Sequence, residues 1–275
     1  MVTCTRDDKG KLIAVSGEAS IPPHLLTIHI PPAWTDVLVS TNPAAKLLAS
    51  GLDSKLRRQP LYNPAYRAAQ DAAKFEHVAA LTPLADSILA HLEQDARSGN
   101  ECAIVALLVY ETGIRPGSLA DTGGDVQAYG ATTLLSSHVH YELNRVWLDF
   151  VGKKGVRNVL QVSHPLLQDV LVRRSGRLIH CNGYLFSIDE KCLRAYVATL
   201  ARGLRPKDLR TLKGTATAIQ AISALPAPAT KTAARKLVAS VKKTVAATLG
   251  NTPAVAGRSY IAPSVLQPVL AAFAN

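Results

Sequence analysis

The sequence predicts an α+β fold with a small β-rich N-terminal domain, residues 1–76, and a mainly α-helical domain, residues 77–275, that carries a β-hairpin. Three observations predict it. Short β-leaning segments broken by prolines fill the first part of the chain. Helix-periodic, Ala- and Leu-rich segments dominate the rest. One alternating stretch interrupts these helices. A chain of 275 residues is long enough to bury a full core in one large domain or two smaller ones.

The N-terminal domain is predicted from three β-leaning segments, "KLIAV", "LLTIHI" and "DVLVS". Prolines at positions 22, 23, 31 and 32 punctuate them, as turn residues do between strands. Asn63-Pro64 then precedes a long Ala-rich segment of helical period. We therefore place the domain boundary near His77.

The second domain is predicted to be mainly helical. "NECAIVALLVYETG" indicates a buried helix that ends at Gly113. "SSHVHYELNRVWLDFVGKKGVRNVLQVS" alternates apolar and polar residues around the turn "GKKG", which predicts a hairpin. Helices resume from His164. A Pro/Ala linker within "SALPAPATKTAARKLVASVKKTVAATLG" leads into a basic amphipathic helix.

The charge of the chain favours a polyanionic partner. The net charge is +11 and the pI is about 9.6, which suits nucleic acid or an acidic membrane surface. Apolar runs such as "CAIVALLVY" are far shorter than the ~20 residues that a membrane-spanning helix needs. The start of the chain is charged from Arg6 onward, unlike a signal peptide. We expect a protein that works inside the cell.

Cofactor motifs are missing from the sequence. The four cysteines show no CxxC spacing, so reduced thiols are expected rather than a zinc site or a disulfide framework. No phosphate-binding Walker loop and no GxGxxG motif occurs, so nucleotide hydrolysis is not indicated. We expect no cofactor and no metal ion. These cysteines are Cys4, Cys102, Cys181 and Cys192.

A lone tyrosine lies in an unusually positive part of the chain. Residues 209–275 contain eight Lys and Arg and no Asp or Glu, and Tyr260 is found among them. Cutting a phosphodiester without metal requires a nucleophile, cations on the non-bridging oxygens, and an acid for the departing alkoxide. Tyrosine, arginine and lysine suit these roles. Arg115, Lys153 and Arg210 each lie in a short, turn-marked segment, although each alone is more typical of a structural or solvated residue than of a catalytic one.

The order of these segments resembles that of the type IB DNA topoisomerases, particularly the small bacterial and poxviral kind. The resemblance spans nearly the whole chain. It is carried by "GLDSKLRRQPLYNPAYRAAQDAAKF", "ETGIRPGS", "YGATTLLSSHV", "FVGKKGVRN", "PKDLRTLKGT" and "LGNTPAVAGRSYIAPSVL".

The resemblance implies a catalytic role for five residues. Tyr260 would be the nucleophile and would form a 3′-phosphotyrosyl link. Arg115 and Arg210 would hold the phosphate oxygens, and Lys153 would protonate the 5′ oxygen. Asn251 matches another phosphate-contacting position, which is histidine in many members; an amide donates only a neutral hydrogen bond there.

The resemblance also implies a monomer that closes as a clamp around supercoiled duplex DNA, nicks one strand and reseals it without ATP. Several further residues would contact that DNA, mainly through its phosphates. They are Lys55, Arg57, Arg58, Gln59, Tyr62, Lys154, Lys213 and Arg258. The protein would work in the bacterial cytoplasm and nucleoid, or in a virion or viral factory if its source is viral.

Two departures from the family pattern stand out. Ala256-Gly257 replaces a Ser-Lys pair, which removes one positive contact. Ser118, Ala120 and Asp121 lie where relatives often carry aromatic or basic residues, so a different sequence preference is expected.

Two other functions are alternatives to the relaxation of supercoiled DNA by a topoisomerase. A tyrosine recombinase shares the catalytic core, but typically has a histidine where this chain has Lys207 in "KDLR". A non-catalytic DNA-binding protein descended from the family would bind duplex DNA without forming a covalent adduct.

Overall fold

The structure, a computed structural model, describes residues 1–8, 10–14, 21–25, 28–118, 126–178 and 183–273. The predictions that concern Ala120, Asp121 and Cys181 lie outside these residues. The chain divides into two compact units, Met1–Lys74 and Phe75–Asn275. The sequence interpretation had placed a boundary after residue 76. The first unit holds an antiparallel sheet and the second is mainly helical, which confirms the predicted α+β class.

The described part of the N-terminal unit forms an antiparallel sheet with strand order β2-β1-β3-β4-β5. Cys4, Val37, Val39, Leu48 and Ala49 are buried on its inner side. Pro60 lies in the edge strand β5, and an edge strand tolerates a residue without an N–H. The strands are β1 (Val2–Arg6), β2 (Leu12–Ala14), β3 (Thr35–Val39), β4 (Leu47–Leu52) and β5 (Arg58–Tyr62).

Two of the three predicted strand segments are confirmed and one is wrong. "KLIAV" contains β2 and "DVLVS" contains most of β3. "LLTIHI" is not a strand where it is described: Leu25 ends the 3₁₀ turn Pro23–Leu25, and residues 28–30 are irregular. The neighbouring proline pairs explain the difference, because proline fixes φ and removes the N–H that strand pairing uses.

Helices make up most of the second unit, and α3 forms its centre. Asn100 caps the start of α3 by accepting from the N–H groups of Cys102 and Ala103. Gly113 ends the helix with φ of 66°, as predicted. Along the chain lie α1 (Pro64–Leu81), α2 (Ala85–Arg97), α3 (Glu101–Thr112), α4 (Pro165–Leu178), α5 (Glu190–Leu200), α6 (Pro206–Ser223), α7 (Lys231–Leu249), α8 (Pro253–Ser259) and α9 (Pro263–Ala271).

The predicted hairpin is confirmed and is part of a larger sheet. β7 (Arg145–Val151) pairs with β8 (Arg157–Val162) around the turn Lys153–Gly155. β6 (Val139–Glu142) pairs with the other edge of β7, so the described sheet has three strands in the order β6-β7-β8.

The C-terminal helices form their own apolar cluster. Val238, Val241, Val245 and Leu249 recur at helical spacing along α7 and are buried, which confirms the predicted amphipathic helix. Tyr260 packs against this cluster. Among the described residues, no helix has both the length and the apolar character needed to cross a membrane.

Candidate active site

Arg210 is the best-buried charged group of the site. It lies in the second turn of α6 and is only 3% exposed. Its guanidinium donates three hydrogen bonds: Nε to the carbonyl of Gly113 at 2.6 Å, Nη2 to the carbonyl of Leu249 at 2.9 Å, and Nη1 to Tyr260 Oη at 2.7 Å. The rigid fork of arginine thus ties the end of α3 and the end of α7 to the phenol.

The position of Arg210 depends on how α6 begins. Asp208 is buried and its Oδ2 accepts from the backbone N–H of Arg205 at 3.1 Å. The guanidinium of Arg205 and the ring Nε2 of His77 also contact this carboxylate. An acidic residue in the first turn of a helix also interacts favourably with the helix dipole. These contacts fix the first turn, and Arg210 follows two residues after Asp208.

Among the residues that the structure describes, no carboxylate lies next to the charge of Arg210. Within the part of the chain that the structure describes, no Asp or Glu oxygen lies within 4.0 Å of either Arg210 or Arg115. Burial lowers the pKa of the Arg210 guanidinium to about 10; the phenol of Tyr260 acts in the opposite direction, and the charge of Arg115 lowers the pKa further. The group still carries its proton at neutral pH.

Tyr260 is held at the end of the short helix α8. Its backbone N–H donates to the carbonyl of Ala256 at 3.0 Å. Gly214, one turn after Arg210 on the same face of α6, lets the chain come close: a methyl group there would lie 2.6 Å from the carbonyl oxygen of Tyr260. The Arg210 Cζ lies 4.7 Å from the centre of the Tyr260 ring. The close approach of α6 to the end of α8 therefore brings the guanidinium and the phenol together.

Arg115 and Asn251 form the second part of the cluster. Arg115 Nη2 donates to Asn251 Oδ1 at 3.1 Å, and Asn251 Nδ2 donates to the Leu249 carbonyl at 3.1 Å. That carbonyl is the one that Arg210 also contacts. The two bonds together determine which end of the amide is oxygen. Asn251 thus orients Arg115 in this structure, a role that the sequence alone did not indicate.

Lys153 lies in the hairpin turn and is exposed. It lines a shallow pocket together with Arg115. The pocket brings the loop after α3, the β7–β8 hairpin and the end of α7 to one opening. Its other lining residues are Gly113, Ile114, Tyr129, Phe150, Gly152, Asn158, Leu160 and Leu249.

The five residues with proposed catalytic roles all lie in the second unit, and contacts connect four of them. Arg115, Asn251, Arg210 and Tyr260 are connected through hydrogen bonds and the shared Leu249 carbonyl. Lys153 joins Arg115 at the pocket. Sequence reasoning had no means to find the carbonyls of Gly113 and Leu249, because every residue has one. The spacing of Gly214 from Arg210 was the only available signal for the close approach of Tyr260.

Two of the basic residues predicted to contact DNA in the N-terminal unit, Arg57 and Arg58, are paired with acids. Asp53 accepts from the guanidinium of Arg57 at 2.8 Å and 3.0 Å and from Gln59 Nε2 at 2.9 Å. Arg57 accordingly lowers the pKa of Asp53 to about 2. Arg58, in β5, pairs with Asp36 of β3, which lies on the other side of β4 in the sheet.

The remaining N-terminal candidates lie in the same sheet or next to it. The backbone N–H of Lys55 donates to Asp53 Oδ1 at 2.9 Å. The ring of Tyr62 lies 5.7 Å from the ring of Tyr66, measured between centroids.

The other predicted DNA contacts are in the second unit. Lys213 Nζ lies 3.5 Å from Glu111 and 5.2 Å from the centre of the Tyr110 ring. Arg258 is exposed in the last turn of α8. The side chain of Lys154 lies outside the described part of the structure.

The space next to Gly257 is filled by a lysine from another helix. A methyl group at Gly257 would lie 2.7 Å from Cε of Lys242, so the lysine stem from α7 crosses α8 three residues before Tyr260. Lys242 is half-buried, and no ion-pair partner is found for it among the described residues. The Lys242 stem thus occupies the space that a side chain at position 257 would fill.

Comparisons with known proteins agree with this architecture. A family model described as the catalytic core of eukaryotic DNA topoisomerase I matches residues 63–267. A second, described as the N-terminal domain of bacterial DNA topoisomerase IB, matches residues 25–53.

Individual relatives cover most of the chain. A protein named DNA topoisomerase 1B from Acanthamoeba polyphaga mimivirus is 25% identical over 254 residues, which is 85% of this chain and 75% of the relative. DNA topoisomerase 1 from Rabbit fibroma virus (strain Kasza) is 26% identical over 274 residues, 91% and 84% of the two chains. DNA topoisomerase 1B from Vaccinia virus (strain Copenhagen) is 25% identical over 278 residues, 95% and 83%.

The match to the catalytic core extends over most of the chain and includes every residue of the cluster around Arg210. The predicted family is therefore confirmed, and the chain belongs to the type IB DNA topoisomerases.

Proposed function

We propose that this enzyme nicks one strand of duplex DNA by attack of Tyr260 on a backbone phosphodiester, and that it needs neither metal nor ATP. The observation that carries the proposal is the bond of 2.7 Å between Arg210 Nη1 and Tyr260 Oη. It places a buried cation, with no carboxylate partner among the described residues, directly on the atom that would attack. A phosphate that binds the same guanidinium would lie next to the phenol oxygen.

The chemistry is a transesterification. The phenol releases its proton to solvent as its oxygen bonds to phosphorus, and the bond from phosphorus to the 5′ oxygen breaks. Lys153 gives its proton to the departing oxygen, which leaves a 3′-phosphotyrosyl link and a free 5′-hydroxyl. Arg115 and Arg210 stabilise the charge on the non-bridging oxygens, because donors fixed before the reaction need no reorganisation during it.

The hydrogen bonds of both arginines support this role. Each guanidinium is held by neutral acceptors: carbonyls and the phenol for Arg210, and an amide oxygen for Arg115. Neutral acceptors fix the position of a cation without neutralising its charge. The full positive charge remains available to the phosphate.

Resealing is the reverse of cleavage. The covalent bond to Tyr260 retains the energy of the phosphodiester, so the 5′-hydroxyl can attack it without outside fuel. Between the two steps the free strand rotates about the intact one and supercoils relax. We propose that the protein acts as a monomer that closes as a clamp on the duplex, with the basic residues of both units on its phosphates.

The location follows from this substrate. We propose that the enzyme acts where its DNA is kept, in the nucleoid of a bacterium or in the virion or viral factory of a virus.

Relaxation of a supercoiled plasmid in EDTA, without ATP and without any paired recombination site, tests the proposed function. We expect full relaxation by the unchanged protein and none by Tyr260→Phe. Activity only between two specific sites would indicate a recombinase. Salt-sensitive binding without any strand cleavage would indicate a non-catalytic DNA-binding protein.

A further inference from the structure

Asn158 lies beside the proposed acid and has no role in the mechanism described above. It is the second residue of β8 and pairs with Phe150 of β7. Its half-buried side chain lines the same pocket as Lys153 and Arg115.

Two glycines leave room for the amide of Asn158. A methyl group built at Gly152 would lie 2.4 Å from Asn158 Nδ2, and one built at Gly250 would lie 3.0 Å from Asn158 Oδ1. Gly152 directly precedes Lys153, and Gly250 directly precedes Asn251. One side chain therefore fills the gap between the hairpin turn and the turn after α7.

A hydrogen bond fixes which way this amide faces. Asn158 Nδ2 donates to the carbonyl of Val156 at 2.8 Å, and the same carbonyl accepts from the backbone N–H of Gly152 at 2.8 Å. The amide is thereby joined to both sides of the turn that presents Lys153. Its Oδ1 faces Gly250, and no donor to that oxygen is found among the described residues.

An ordinary turn-stabilising asparagine needs only the bond to Val156. It would not have to reach Gly250, which is 92 residues away in the sequence and ends α7 with φ of 59°. The contact with both glycines connects the hairpin to the turn that carries Asn251, and Asn251 holds Arg115.

We propose that Asn158 is a positioning residue that holds the hairpin against the Gly250–Asn251 turn, so that Lys153 reaches the leaving 5′ oxygen. The inference rests on the proposed acid role of Lys153. A proton donor must lie within hydrogen-bond distance of its target, and a displacement of about 1 Å costs ~10²-fold in rate.

A substrate with a 5′-bridging sulfur provides the test, because a thiolate leaves without needing a proton. Asn158→Ala should slow single-turnover cleavage of ordinary DNA by about 10- to 100-fold and should regain most of that loss on the sulfur substrate. Gln161→Ala, an exposed amide on the same strand, is the matched control and should cleave both substrates normally.

Gly152→Ala tests the same contact from the other side. The φ of Gly152 is −100°, which alanine adopts without strain, so the added methyl acts only by displacing the Asn158 amide. We expect the same slow cleavage and the same rescue by sulfur. The double variant with Asn158→Ala should be no slower than Asn158→Ala alone, since both changes break one contact.

Lys153→Ala, measured in parallel, distinguishes an error in the role of Asn158 from an error in the acid role of Lys153. Rescue of Lys153→Ala without rescue of Asn158→Ala would overturn the role of Asn158 alone. Absence of rescue in both would overturn the acid assignment, and the role of Asn158 with it. If Asn158→Ala does not fold, as judged by thermal unfolding, the nearly isosteric and uncharged Asn158→Leu replaces it, since that change removes the donor to Val156 without adding a carboxylate to the pocket of Lys153 and Arg115.

Discussion

The arginines of the N-terminal sheet and those of the proposed active site are held in opposite ways. Arg57 and Arg58 are paired with the carboxylates of Asp53 and Asp36 at the surface. Arg210 is buried and, like Arg115, is held by neutral oxygens, with no carboxylate within 4.0 Å in the described structure. Arginine is thus paired with a carboxylate in one region and held by neutral acceptors in the other.

We expect this difference in partners to correspond to a difference in role: the surface arginines bind DNA, and Arg210 takes part in cleavage. A phosphate that binds the surface arginines must replace or share an aspartate, and exposed pairs of this kind contribute only about 0–1 kcal/mol, so the exchange is easy and reversible. A phosphate that reaches Arg210 meets a fixed cation that has no acidic partner in the described part of the chain. We expect substitutions in the two regions to differ in size and in sign.

The largest effect is expected at Arg210. Arg210→Ala removes the bond to Tyr260 and the bonds that join the ends of α3 and α7. Single-turnover cleavage should fall by ~10²-fold or more, as it does when a preorganised oxyanion donor is lost.

Arg173→Ala is the control for Arg210→Ala, since Arg173 is an exposed arginine paired with Asp169. It should cleave normally. A loss of under threefold for Arg210→Ala would show that the uncompensated arginine is structural.

Asn251→Ala should have the next largest effect. It removes the acceptor that orients Arg115 but changes neither Arg115 nor Arg210 itself. Hydrogen bonds to charged groups contribute about 1.5–3 kcal/mol, so we expect cleavage to slow by at least ~10-fold with little change in DNA affinity.

Asn251→Asp sharpens the comparison between the two regions, because it gives Arg115 the carboxylate partner that Arg57 and Arg58 already have. It keeps the acceptor for Arg115 and removes only the donor to the Leu249 carbonyl. Cleavage by Asn251→Asp that equals that of the unchanged enzyme would contradict the claim that neutral acceptors matter here.

A smaller effect is expected where Lys242 lies over Gly257. Lys242→Met keeps the apolar stem and removes the charge, so it should reduce the slope of log affinity against log salt by about 1 if the ammonium contacts a phosphate. The measurement is a salt series of duplex binding in the Tyr260→Phe background. Lys243→Met, the exposed neighbour on α7, is the control, and an equal slope change in both variants would leave Lys242 as one of many general charges.

The smallest effect, of opposite sign, is expected at Asp36. Asp36→Asn frees Arg58 and suits the backbone, because φ of 45° at this position is well tolerated by asparagine. Duplex affinity should rise by about two- to fivefold, in line with the value of an exposed ion pair, and the unfolding temperature should stay unchanged. A fall in affinity would mean that Asp36 orients Arg58 for DNA instead of competing with it.

The sequence predicted those features that depend on local pattern. The apolar run before Gly113 identified α3, the spacing of apolar residues identified α7, and "GKKG" identified the hairpin turn. Strands β1, β4 and β5 were not singled out. The paired prolines around "LLTIHI" outweighed its β-branched residues, since a proline supplies no N–H for pairing.

The candidate residues were identified from the order of the segments, but their contacts were not. The Gly113 carbonyl lies 97 residues before Arg210 in the sequence, and nothing in a single sequence shows that the two meet. The same is true of Asp36 with Arg58 and of Asn158 between its two glycines. Long-range partners and backbone acceptors leave no local pattern.

The most direct test of the central claim is to map the covalent bond itself. DNA cleaved in EDTA is trapped with denaturant, the complex is digested with protease, and the nucleotide-bearing peptide is sequenced by mass spectrometry. The account predicts a single phosphodiester bond between the oxygen of Tyr260 and a DNA 3′ end, with a 5′-hydroxyl on the other fragment. A nucleotide on another residue, or a bond to the 5′ end, would contradict it.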